Sequence, residues 1–154
     1  MPKAILDKLM DFCEFHAEQI AEQWYKALST NPRTINCRKL SRDSCLRHAL
    51  YIYQNVEKAF LADDCYQEVE HILEVGGFVE FFYARGIPLE EMIYTLILLR
   101  RHIWLYADSQ ALFNLDVSDM YNAINSTTRI LLVFDYATYI AAHKYNELSA
   151  KKGR

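Results

Sequence analysis

Glycine and proline, the residues that interrupt regular backbone, are nearly missing from this chain: four glycines and three prolines in 154 residues. An average chain of that length would hold roughly 18 of them. β-Sandwiches, collagen-like repeats and disordered tails use these residues freely, so the deficit argues against all three, and against any glycine-rich phosphate loop. Aromatic residues run the other way, at 14%, with 11 tyrosines. Few turn residues and many apolar ones predict an all-α fold, with residues 1–154 forming one domain around a large core.

The few interruptions divide the chain into helices. Ile5, Leu9, Phe12, Cys13, His16, Ile20, Trp24 and Leu28 recur at helical spacing, with acids on the other faces, and predict a first helix over 3–29. Asn31-Pro32 ends it, because the residue before proline avoids the α region. A loop is expected to Leu40. Ser41 is a fitting cap for a second helix that carries Leu46, Ala49, Leu50, Tyr53, Val56 and Phe60 and stops near Asp63-Asp64. A third helix is predicted from about Tyr66 to Tyr83, apolar nearly all round. Gly76-Gly77 falls in its middle and marks a kink, a break, or a close approach of another backbone. Gly86 fits the left-handed position that closes this helix, and Pro88 the first position of the next. That fourth helix holds Leu89, Met92, Ile93, Leu96, Leu99, Ile103 and Trp104.

The last helix is predicted over 117–148, with Asp116 as its cap and a length of about 48 Å. Val117, Met120, Ile124, Thr127, Leu131, Phe134, Thr138, Ala141, Tyr145 and Leu148 alternate by three and four, as in a coiled-coil seam. Ile130, Val133, Ala137 and Ile140 form a second row beside it. One helix with two apolar rows can serve a core and a partner at once, and an exposed row is costly in a monomer. The candidate dimer interface is Met120, Ile124, Leu131, Phe134, Ala141 and Tyr145.

Charge excludes several partner classes. The formal net charge is −3, and the two halves carry 9 basic against 12 acidic and 8 against 8 residues. Neither half is basic enough to hold a nucleic-acid backbone. No apolar run reaches the ~18 residues of a membrane span, and Asp7 and Asp11 interrupt the N-terminal apolar stretch, so no secretory signal is expected. Cys13, Cys37, Cys45 and Cys65 form no CxxC pair and predict reduced thiols in a cytoplasmic protein.

Chemical constellations are sparse. Cys13-x-x-His16 and Cys45-x-x-His48 could together offer zinc a Cys2His2 set, but the first pair lies on an apolar stripe, where cysteine acts as a small hydrophobe. Glu68-x-x-His71 is half of a di-iron signature without its second half. No hydrolase, zinc-protease or nucleotide-loop motif occurs, so no catalytic or metal residues are assigned. His71, beside Val75, Phe78 and Phe82, is the best-placed axial ligand if the chain encloses haem. Of Arg100-Arg101, one arginine must lie nearer the core stripe and needs a carboxylate or a backbone carbonyl, with Glu90, Asp108 or a third-helix acid as candidate partners; its functional alternative is an anchor for an acidic ligand or partner. The candidate ligand pocket is Trp24, His71, Val75, Gly76, Phe78, Arg100 and Trp104.

Ala84-Arg85-Gly86-Ile87-Pro88-Leu89-Glu90-Glu91, Leu98-Leu99-Arg100-Arg101, Trp104 and Ile20-Ala21-Glu22-Gln23-Trp24 resemble the RsbRD N-terminal domain family, which heads bacterial stressosome proteins and some histidine kinases. The resemblance implies a globin-like bundle of five or more helices without haem. It implies a non-enzymatic sensory domain that forms a homodimer and relays a signal through its last helix. A STAS or kinase module usually follows such a domain; the expectation here is a domain taken from a longer protein or a stand-alone relative. The alternative is a globin-like carrier or sensor of haem or an apolar ligand.

Overall fold

The computed structural model describes residue 11, residues 13–109 and residues 117–153. Among them the chain is all-helical, with no strands. The elements are α1 (Ala17–Thr30), a 3-10 segment (Pro32–Lys39), α2 (Arg42–Leu61), α3 (Cys65–Gly76), α4 (Phe78–Ala84), α5 (Leu89–Ser109) and α6 (Val117–Lys152). The arrangement is compatible with a globin-like bundle. Among the described residues no helix is long and apolar enough to cross a membrane.

Local chemistry accounts for most of the boundaries. Helix breaks at His16 separate residues 13–15 from α1; Ile5, Leu9 and Phe12, expected in the first helix, lie outside the described residues. The stretch after Pro32 is a 3-10 helix, not a loop, with the Asn31 side chain accepting from the Arg33 N–H at 2.8 Å. Ser41 caps α2 as expected, accepting from the Ser44 N–H at 3.4 Å. Asp64 accepts from the Gln67 N–H at 3.0 Å, so it starts α3 as well as following the end of α2.

The predicted helix 66–83 is two helices. Gly77 takes the left-handed conformation, φ 65°, and its N–H closes α3 on the Leu73 carbonyl at 3.1 Å. Gly76 serves the other purpose: a Cβ there would stand 2.8 Å from the Tyr51 ring of α2. One glycine makes the turn and its neighbour admits the aromatic ring. Gly86, φ 71°, ends α4, with the Ile87 N–H reaching back to the Phe82 carbonyl at 3.1 Å. Pro88 stands one residue before α5, where its carbonyl accepts from Glu91 and Met92.

α1, α2, α5 and α6 pack around one core whose largest fully buried side chains include Trp24, Tyr53, Phe78 and Phe82. Each such side chain contributes about 1.5–3 kcal/mol by leaving water. The polar ends of two buried aromatics are bonded across helices. Trp24 Nε1 donates to the Thr95 carbonyl at 3.1 Å, and the Tyr53 hydroxyl donates to the Leu99 carbonyl at 2.8 Å. The end of α6 is tied down in the same way: Tyr145 donates to the Ile87 carbonyl at 2.6 Å, and Tyr83 to the Leu148 carbonyl at 3.2 Å. These bonds fix helix against helix, since an unpaired buried donor would cost about 1–3 kcal/mol.

Candidate functional site

α6 has two parts. From Ile130 onward it belongs to the core: Ile130, Val133, Phe134, Ala137, Ile140 and Ala141 are all buried. Arg129 marks the boundary, its guanidinium 4.3 Å above the Phe60 ring of α2. Before Ile130, no side chain described in residues 120–129 is buried. Met120, Tyr121 and Ile124 are 50%, 74% and 64% exposed. A helical segment of this length is marginal in water by itself, and apolar exposure adds to its cost.

The expected dimer seam is therefore divided. Met120 and Ile124 are exposed and free to meet a partner, and Leu131 is half-buried. Phe134 and Ala141, also assigned to the interface, are core residues of the same chain, 2% and 0% exposed, and Tyr145 is spent on the Ile87 carbonyl. Both apolar rows enter the core beyond Arg129 because α6 is flanked there by α3, α4 and α5. A third row, Tyr121, Leu132 and Tyr139, faces solvent. Its signal was the set of apolar residues left over after the first two rows were assigned. The expected cap Asp116 lies outside the described residues.

The expected ligand pocket does not assemble. Trp24 and Phe78 are core; His71 and Val75 point to solvent, Val75 at 61% exposure; Gly76 backs onto Tyr51. Arg100 pairs with Asp135 of α6 at 3.7 Å, not with the acids expected for it, and Trp104 packs half-buried on the core. His71 is exposed, and the apolar gap between α2, α3 and α6, which His71 does not line, measures about 20 Å³. That is room for one water-sized body, not for an organic ligand.

The zinc pairs are equally unsuited. Cys13 and Cys45 are buried, and burial pushes their thiols up to about 12 and about 11, so both stay protonated. His48 packs 4.4 Å from the Phe81 ring, and burial, with Arg47 and Arg85 nearby, pushes it down to about 4. No group of three or more potential metal ligands comes together among the described residues.

A cleft does lie beside the Gly76-Gly77 elbow, of about 230 Å³, between the facing ends of α3 and α4 and the end of α6. Leu73, Val79 and Ile140 floor it, and Glu74, Glu80 and Glu147 stand at its rim. Glu80 reaches Lys144 at 3.8 Å, and Glu147 accepts His143 at 3.1 Å. The other Glu80 oxygen is buried without a partner. The cleft joins the elbow to the last helix through charged groups. Its sequence signal was the four-residue spacing His143–Glu147.

Comparison with protein-family models, with curated proteins and with solved structures gives no match for this chain.

Proposed function

We propose that this chain is a non-enzymatic sensory or regulatory module that works as a homodimer and passes a signal along α6. One observation carries the proposal: a 36-residue helix whose trailing part is core and whose leading part carries Met120, Tyr121 and Ile124 in water. A second copy of the same segment would cover these side chains and complete the seam that Met120, Ile124 and Leu131 begin. The elbow cleft supports the reading only in its placement: Glu80 of α4 pairs there with Lys144 of α6 at 3.8 Å.

The resemblance of Ala84–Glu91 and Leu98–Arg101 to the RsbRD N-terminal family points the same way, to bacterial stress signalling in the cytoplasm with a STAS or kinase module as the output. Sedimentation velocity tests the proposal. A dimer is expected at micromolar concentration, and Ile124→Glu is expected to give a folded monomer. A wild-type chain that remains a clean monomer at high micromolar concentration overturns it.

A further inference from the structure

Leu132, Tyr136, Tyr139, His143 and Glu147 of α6 follow one another at spacings of four, three, four and four, which sets them in one row along the helix. Leu132 and Tyr139 are 42% and 63% exposed, and His143 and Glu147 are exposed too. On α3, Tyr66, Glu70 and Glu74 form a second row, one turn apart. The two rows stand side by side. The Tyr66 ring lies 5.3 Å from that of Tyr136, edge to face, and 6.5 Å from that of Tyr139. Further along, Glu70, Glu74, His143 and Glu147 line the same elbow cleft.

The lane between the rows changes character along its length. Its first part is aromatic: Tyr66 and Tyr139 are exposed, and the Tyr139 ring stacks on His143, 8° from parallel with centroids 6.5 Å apart. Its second part is the cleft, with an apolar floor and four glutamates set against His143 and Lys144. Glu80 matches Lys144, and Glu147 matches His143. Glu70 and Glu74 are exposed and have no ion-pair partner among the described residues. From Leu132 to Glu147 the lane runs about 22 Å, or about four turns of helix.

We propose that this lane docks a basic amphipathic helix of another protein, with apolar side chains on Leu132, Tyr136 and Tyr139 and arginines or lysines at Glu70 and Glu74. Charge complementarity selects the occupant. Two carboxylates without a cation, beside exposed apolar side chains, suit cations carried on an apolar body and repel an acidic segment. Guanidinium groups also stack on tyrosine faces. A lane of this length between two helices fits a third helix laid along it. The leading part of α6 takes no part, so the proposal does not depend on dimerisation.

The test is fluorescence anisotropy of a labelled helical peptide of about four turns, leucine on one face and arginine on the other, titrated with the full chain. Amide resonances of nitrogen-labelled protein locate the peptide. Saturable binding is expected, with shifts at Tyr66, Glu70, Glu74 and Tyr139. Tyr139→Ala, and Glu70→Gln combined with Glu74→Gln, should each weaken binding about tenfold and leave the unfolding midpoint unchanged, since all three sites are exposed. The glutamate pair, unlike Tyr139→Ala, should also flatten the salt dependence. The absence of saturable binding overturns the proposal, as does wild-type affinity in these variants. Equal affinity for a peptide of the same composition with its faces scrambled overturns it as well, because charge alone would then suffice. So does equal affinity when glutamate replaces arginine. Shifts centred on Met120 and Ile124 would move the peptide to the leading part of α6, and self-association lost in Tyr139→Ala would give the lane to a second copy; either result ends the proposal.

Discussion

The leading and trailing parts of α6 carry the same alternation of apolar residues and meet opposite surroundings. Ile124 and Phe134 both belong to the row that runs from Met120 to Leu148, yet Ile124 stands in water while Phe134 is 2% exposed. The difference is the neighbours: α3, α4 and α5 pack against α6, and Arg129 on Phe60 stands just before Ile130, the first buried residue of α6 among those described. An apolar row states that something must cover it. It does not state whether the cover comes from the same chain.

The largest contrast is expected between Phe134 and Ile124. Phe134→Ala should cost about 3–5 kcal/mol of stability in urea unfolding, since it empties a packed site. Ile124→Ala, measured on monomer at low concentration, should fall within about 0.5 kcal/mol of wild type. Equal costs at the two positions would erase the distinction between the parts. Charge sharpens it: Phe134→Glu should yield unfolded protein, while Ile124→Glu and Met120→Glu keep their circular dichroism and lose only the dimer.

The elbow that presents α3 to the trailing part gives a smaller, two-step effect. Gly76→Ala drives a methyl into the Tyr51 ring and should cost about 1–3 kcal/mol. Gly77→Ala meets no atom within 4 Å and suffers only its left-handed backbone, about 1 kcal/mol. A double-mutant cycle with Tyr51→Ala should relieve the first cost and leave the second. If Tyr51→Ala relieves neither, the ring does not set the requirement for glycine at 76.

The smallest expected effect is on pH dependence. His48 packs against Phe78 and Phe81 of α4, and burial holds it down to about 4; His102, buried in α5, is lowered by burial too. The unfolded chain protonates these rings near pH ~6.5 and the folded chain resists, so the unfolded state binds more protons between those values. Their contribution is therefore complete above that range and declines as pH falls towards about 4. Urea midpoints at about pH 7 and about pH 5 should differ in the wild type and differ less in His48→Gln. Dimer dissociation through the leading part should show no matching change, because no histidine lies in residues 117–129.

Much of the helix plan was legible because its signals are local. Ser41, Gly86 and the Asn31-Pro32 boundary act within one turn of backbone, and each stands where its chemistry requires. The candidate pocket was not legible. Trp24, His71, Phe78 and Arg100 share apolar or aromatic neighbours in sequence, but the rotation of each helix sends His71 to solvent and Phe78 to the core. Arg100 found its carboxylate on α6, 35 positions away, where no local spacing could have pointed.

Helical periodicity, capping and the scarcity of glycine and proline were sufficient to determine an all-helical chain with a long last helix, since each depends on hydrogen bonds and torsions within a few residues. Which apolar row is core, which arginine is paired and which glycine faces a ring were decided only by tertiary structure. Those outcomes depend on how helices rotate against one another, and that rotation is set by the summed packing of the whole core.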